Sequence, residues 1–79
     1  MAIVKTVRLP EDLAKAILHR ARLENVDEST AIRQLLALGV RDYAVELYRE
    51  GKITLNEAAG LANLTVRETI DLLLDHGVK

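Results

Sequence analysis

One short β-type stretch in an otherwise helical sequence most constrains what this chain can fold into. Residues 3–9 read Ile-Val-Lys-Thr-Val-Arg-Leu. In a strand they divide between two faces: Ile3, Val7 and Leu9 on one, and Val4, Thr6 and Arg8 on the other. A single strand cannot satisfy its own backbone groups, and the sequence contains no second strand candidate. It therefore predicts that two copies pair residues 3–9 antiparallel about a two-fold axis.

Two longer helices are predicted after this stretch. The first begins after Pro10 and runs to about Leu23, with apolar residues spaced as one stripe. The second follows a predicted N-cap at Asp27 and ends before Gly51. Gly39 in its middle is unfavourable for a helix, which predicts either a bend or a close backbone crossing, and the crossing is favoured.

Two short helices complete the predicted fold. They span about 55–62 and 66–76, and each opens at a Thr-x-x-Glu capping box. Asn63 joins them at a position that needs a left-handed backbone, a conformation that asparagine tolerates. Two short helices with a tight turn make a hairpin that is similar to a helix-turn-helix.

Composition favours self-association. The chain has 79 residues, 49% of them apolar, and no cysteine that could form a disulfide. A chain this short cannot bury so many apolar side chains in its own core, and such chains commonly bury them by oligomerisation. No apolar run approaches the ~20 residues of a membrane span, and no signal peptide is recognisable, so a soluble cytoplasmic protein is expected.

Catalysis and metal binding are not predicted. Ser29 is the only serine, and neither His19 nor His76 is near it in sequence. The two histidines also lack the spacing of metal ligands, and no glycine loop could hold a phosphate. No enzyme activity and no cofactor are therefore expected.

The charge distribution and the predicted strand favour DNA. Residues 1–25 carry five Lys/Arg against three Asp/Glu, whereas residues 53–79 carry two against four. A two-stranded ribbon fits the major groove of B-DNA, and Thr6 and Arg8 are residue types that read base edges there. The predicted dimer core comprises Ile3, Val7, Leu9, Ile32, Leu35, Leu36 and Gly39.

Residues 3–47 resemble the ribbon-helix-helix repressors of the MetJ/Arc/CopG type. The resemblance rests on residues 5–11, 26–29 and 32–40. It implies an intertwined dimer, mainly α with one short strand; whether such dimers pair into tetramers on DNA is left open by the sequence. It also implies base contacts from Val4, Thr6 and Arg8. Phosphate contacts would come from Lys5, Glu28 and Ser29, the last two through the amides that open the second helix.

Residues 48–65, with further matches to position 78, resemble a set of short prokaryotic proteins. The shared features include Gly51-Lys52-Ile53-Thr54-Leu55 and Ala58-Ala59. Members of that set look like antitoxins encoded beside PIN-domain nucleases. The resemblance implies a nuclease partner.

Together these observations predict a homodimeric, sequence-specific DNA-binding transcriptional regulator, the antitoxin and autorepressor of a toxin-antitoxin pair. Residues 1–51 would dimerise and bind DNA, and residues 52–79 would form a hairpin tail that docks the partner. One alternative is a dimeric protein-interaction adaptor without DNA binding. Another is a DNA reader that uses the C-terminal hairpin, where Glu68, Asp71 and Asp75 outnumber Arg67.

Overall fold

A computed structural model describes residues 3–78, and this part of the chain contains four α-helices. They are α1 (Glu11–Glu24), α2 (Glu28–Arg49), α3 (Leu55–Ala62) and α4 (Val66–Asp75). Each lies where apolar spacing and capping signals predict a helix. The helical part of the prediction is therefore confirmed.

The predicted strand is absent. Residues 3–10 form neither helix nor strand, and no strand occurs within residues 3–78. The predicted ribbon-helix-helix fold, with its two-stranded antiparallel ribbon, is therefore wrong. A strand exists only through hydrogen bonds to a neighbouring strand, and the elements after Pro10 are all helical. Alternating apolar residues do not supply that missing partner.

Local signals set the ends of α1 and α2. Asn25 follows α1 with φ 54°, in the left-handed region. The Asp27 carboxylate accepts a hydrogen bond from the Thr30 N–H at 2.8 Å, which confirms the predicted N-cap of α2. Gly51 lies just beyond α2 with φ 74°, a backbone conformation that glycine adopts without strain.

The hairpin of α3 and α4 is set by two capping boxes, as predicted. In the first, the Glu57 N–H donates to Thr54 Oγ1 and the Thr54 N–H donates to Glu57 Oε1. Thr65 and Glu68 repeat the arrangement at the start of α4. Asn63 between the helices has φ 56°, which confirms the predicted left-handed turn.

The chain divides into two compact units, and the boundary falls between Gln34 and Leu35, inside α2. This boundary separates two parts of the chain that pack mainly within themselves. The predicted division into residues 1–51 and 52–79 was a division by function, and it stays a prediction.

The N-terminal unit buries little. Arg20 Nε donates to Gln34 Oε1 at 2.9 Å, so this side chain of α1 is tied to the first half of α2. Ala31 is the only fully buried residue within residues 3–34. The exposed large apolar side chains of this unit are Ile3, Val4, Val7, Leu9, Leu13, Leu18 and Leu23.

The C-terminal unit has a core of its own. Its buried residues come from three helices: Ala44 and Val45 of α2, Ala58, Ala59 and Ala62 of α3, and Thr69 and Leu73 of α4. Small alanine side chains on α3 let this helix approach α4 closely. The buried Thr69 hydroxyl donates to the Thr65 carbonyl at 2.8 Å, so its polar atom is satisfied.

Candidate nucleic-acid and partner-binding surfaces

Residues 3–10, here called the N-terminal segment, are exposed along their whole length. They include Lys5 and Arg8 and no acidic residue. Within the described residues, no backbone hydrogen bond holds the N–H or C=O groups of residues 3–9. Polar backbone, two cations and apolar side chains are thus all open to a partner.

The predicted base-contacting residues, Val4, Thr6 and Arg8, lie together on this segment and are exposed. Ile3, Val7 and Leu9 were expected to face inward over the helices. They are exposed instead, because no second layer in the described chain covers them.

The outer face of α1 adds basic groups to the same unit. Lys15, His19 and Arg22 follow one another at spacings of four and three residues, so they share one side of the helix. With Leu18 and Leu23 they line a shallow, open concave surface. Sequence reasoning did not recognise this basic surface.

The N-terminus of α2, with Glu28 and Ser29, was expected to bind a phosphate through backbone amides. Asp27 already occupies this helix end and accepts the Thr30 N–H. The hydrogen bonds from Thr30 lower the pKa of the Asp27 carboxyl below its ordinary value, because they favour the charged form. A phosphate bound at this helix end would meet the negative charge of Asp27, and the phosphate contacts at Glu28 and Ser29 stay a prediction.

The predicted dimer-core residues of α2 differ in exposure. Ile32 and Leu35 are half-buried, whereas Leu36 and Gly39 are exposed. Tyr43 follows on the same side of the helix and is also exposed. Leu36, Gly39 and Tyr43 are called the α2 face below.

An apolar groove lies in the C-terminal unit. It has a volume of about 140 Å³ and is lined by Tyr48, Leu55, Ile70, Leu73, Leu74 and Val78, here called the hairpin groove. The side chain of Leu74 is 58% exposed, although Leu73 beside it is buried. The groove is therefore an apolar surface that remains open to a partner.

The acidic groups of α4 lie on another side of this helix than the groove residues. Asp71 and Asp75 directly follow Ile70 and Leu74 in sequence, and successive residues of a helix point about 100° apart. With Glu68 they line a second concave surface, which also contains Arg41. Arg41 Nε is buried without a hydrogen-bond partner within the described residues. Sequence reasoning did not single out Arg41, because its neighbours in space are 23 or more positions away in sequence.

The end of α4 is tied to α2. Arg49 donates to the His76 carbonyl at 3.1 Å, and His76 Nε2 lies 3.8 Å from Asp42 Oδ1. Arg49 also pairs with Glu46 on its own helix. The Val78 N–H donates to the Leu73 carbonyl at 2.9 Å, which holds Val78 in the lining of the hairpin groove.

No cluster of three or more metal-ligating side chains is found within residues 3–78. None of the four described helices combines the length and the apolar character that crossing a bilayer requires.

Comparison with known proteins leads to one family. No curated protein and no solved structure is significantly similar to the chain. The family described as "Uncharacterised protein family (UPF0175)" matches residues 3–79, which is nearly the whole sequence. The match includes the N-terminal segment, both long helices and the hairpin. This chain therefore belongs to the uncharacterised protein family UPF0175.

Proposed function

We propose that this chain is a homodimeric, sequence-specific DNA-binding transcriptional regulator of the antitoxin type. The observation that carries the proposal is the N-terminal segment, which is exposed and basic and has no acidic residue. Duplex DNA is a dense array of negative charge, and Lys/Arg contacts to phosphate supply most of the affinity of proteins that bind it.

Each exposed polar side chain of the segment has a role in this proposal. Arg8 can donate two hydrogen bonds to a guanine, and Thr6 can bond to either partner of a base pair. Lys5 contacts phosphate. Phosphate binding is assigned to Lys5 and to the face of α1 that carries Lys15, His19 and Arg22. It is not assigned to Glu28 and Ser29, because the Asp27 carboxylate lies at the same helix end and would repel a phosphate.

Exposed apolar side chains support the homodimer. Ile3, Val7 and Leu9 lie on the same segment as the cations and are exposed in the single chain. A second copy would remove such side chains from water and present two copies of Arg8 to DNA. Dimeric DNA-binding proteins read two half-sites in this way.

The proposal is tested by fluorescence anisotropy with duplex DNA from immediately upstream of the chain's own gene. Arg8→Ala removes a two-hydrogen-bond pairing with a base, which should cost about 1–3 kcal/mol in each half-site and should relax sequence preference. Lys5→Ala should weaken binding to all sequences alike and reduce the dependence of affinity on salt.

The control is Arg67→Ala, which removes an exposed cation from α4 and leaves the N-terminal segment intact. If Arg67→Ala weakens binding more than Arg8→Ala does, the hairpin is the DNA reader. If the unmodified chain prefers upstream DNA no more than a scrambled duplex, sequence-specific regulation is disproved.

A nuclease partner is the second part of the proposal. It is supported by the hairpin groove, which is apolar, and by the second concave surface of α4, which Asp71 and Asp75 line. A nuclease needs a basic channel for its substrate, and an acidic segment complements that channel. The resemblance of residues 48–78 to antitoxin-like proteins points to a PIN-domain nuclease encoded by the adjacent gene.

Leu74→Ala tests this docking because Leu74 lines the groove and is exposed. It should weaken nuclease binding, whereas Leu61→Ala, an exposed leucine of α3 outside the groove, should not. Equal binding by both variants and the unmodified chain would place the docking surface elsewhere. Nuclease binding without any DNA binding would instead favour a protein-interaction adaptor.

A further inference from the structure

We infer that a second copy of the chain covers the α2 face, and that the two α2 helices cross at Gly39. The inference rests on the homodimer of the proposed function and names its contact surface. It concerns Leu36, Gly39 and Tyr43, which follow one another at spacings of three and four residues. Such residues lie on one side of a helix.

This face is apolar and open. Leu36 is 63% exposed and Tyr43 is 57% exposed. A Cβ atom added to Gly39 would meet no atom of the chain within 4 Å. By contrast, Ala31, Ala44 and Val45 of the same helix are buried, so α2 has covered and uncovered sides.

No feature of the chain itself requires a glycine at position 39. The helix is continuous from Glu28 to Arg49, and its backbone at Gly39 is not in the left-handed region. Glycine in a helix interior costs about 1 kcal/mol relative to alanine. Nothing in the described chain approaches Gly39 so closely that a side chain at this position would clash. A backbone of another molecule that crosses here would require a residue without a side chain.

The exposed apolar side chains of α2 indicate a protein partner. Leu36 and Tyr43 of the α2 face are both more than half exposed. An apolar patch that stays open on a folded chain marks an interaction surface.

The charges along α2 favour a second copy of the chain as the partner that covers the α2 face. Where two identical helices cross antiparallel at a two-fold axis, each residue lies opposite the one equally far on the other side of the crossing point. With the crossing at Gly39, Arg41 and Asp42 of one copy lie opposite Ala37 and Leu36 of the other, so no like charges meet. In an antiparallel crossing, Arg33 of one copy comes near Glu46 of the other. The Arg33 guanidinium bonds only the Thr30 hydroxyl among the described residues, so it has donors left for that carboxylate.

The test uses the full chain, which contains no cysteine, so any introduced cysteine is unique. Gly39→Cys should form a disulfide with its counterpart under mild oxidation, because a disulfide needs Cα atoms about 4.4–6.8 Å apart. The control is Ala37→Cys, exposed on the same helix but about 200° around its axis. It should give less than a tenth of the cross-linked dimer.

A second variant tests the close approach itself. Gly39→Leu places a side chain at the crossing and should raise the dimer dissociation constant at least tenfold in sedimentation equilibrium. Leucine forms helix better than glycine, so circular dichroism should show unchanged or increased helix content. Loss of the dimer with retained helix supports the inference.

Two results would overturn it. The first is a dimer in sedimentation in which Gly39→Cys cross-links no better than Ala37→Cys, which would leave the homodimer intact and place its contact elsewhere. The second is an unchanged dissociation constant for Gly39→Leu. A chain that sediments as a monomer at every concentration would overturn both this inference and the homodimer of the proposed function.

Discussion

At the scale of single residues, the stability that Glu68 contributes by capping α4 depends on pH. Its carboxylate accepts the Thr65 N–H at 2.9 Å, and the hydrogen bonds with Thr65 lower the pKa of this carboxyl. A lowered folded-state pKa stabilises the protein above the unfolded-state pKa, and this stabilisation is lost as pH falls through the folded value. Glu68 therefore contributes stability at neutral pH that disappears in acid.

We expect Glu68→Gln to lower the free energy of unfolding at pH 7 and to have progressively less effect below the ordinary glutamate value of 4.5. Glutamine can still accept the Thr65 N–H, so the variant removes the charge and keeps the cap. Chemical denaturation at several pH values measures the difference. Asp71→Asn is the control, since this carboxylate of α4 makes no capping hydrogen bond; an equal pH-dependent loss there would contradict the role of the cap.

Asn63 makes a second residue-scale prediction. Its φ of 56° is unfavourable for most side chains but not for glycine. Asn63→Ala should therefore destabilise the chain by about 1–2 kcal/mol. Asn63→Gly should lie close to the unmodified chain in thermal unfolding. Equal losses from both substitutions would show that the asparagine side chain, rather than the backbone conformation, matters.

At the scale of elements, α4 has one buried and one open side, and two adjacent leucines distinguish them. Both line the hairpin groove, but Leu73 is 5% exposed and belongs to the core of the C-terminal unit, whereas Leu74 is 58% exposed. Leu73→Ala should cost about 2–5 kcal/mol, the usual range for a buried leucine. Leu74→Ala should change stability by only about 0.5 kcal/mol.

Urea denaturation of both variants checks this prediction. Similar losses would mean that Leu74 is also covered, and the hairpin groove would then not be a free docking surface. Point variants suit this region better than a truncation after Gly51, because Ala44 and Val45 of α2 are buried in the same unit as α3 and α4.

At the scale of the whole molecule, the uncovered apolar surface predicts that folding is linked to self-association. If the native state is a dimer, mass action raises the midpoint of thermal unfolding as the protein concentration rises. We expect a clear upward shift over a hundredfold range of concentration, measured by circular dichroism. Gly39→Leu should reduce the shift. A midpoint independent of concentration would contradict a dimeric native state.

Helix boundaries were predictable because their causes are local. Asp27, Asn63 and the two Thr-x-x-Glu boxes act on backbone groups within a few residues, so the sequence alone places them. The candidate DNA-binding residues were also named from sequence, but their exposure on a segment without regular structure was not. The basic face of α1 and the position of Arg41 beside Glu68, Asp71 and Asp75 were missed.

The sequence by itself determined four helices and their caps, the basic N-terminal segment, the acidic hairpin and the excess of apolar residues. The tertiary structure decided which of those apolar residues are covered. Residues 3–9 carry a β-type pattern, yet they form no strand, because strand formation depends on a neighbour that periodicity cannot supply. Gly39 was expected at a backbone crossing, and the fold leaves its surroundings empty. Burial depends on which elements meet in space, so only the folded chain separates the closed core of the hairpin from the open face of α2.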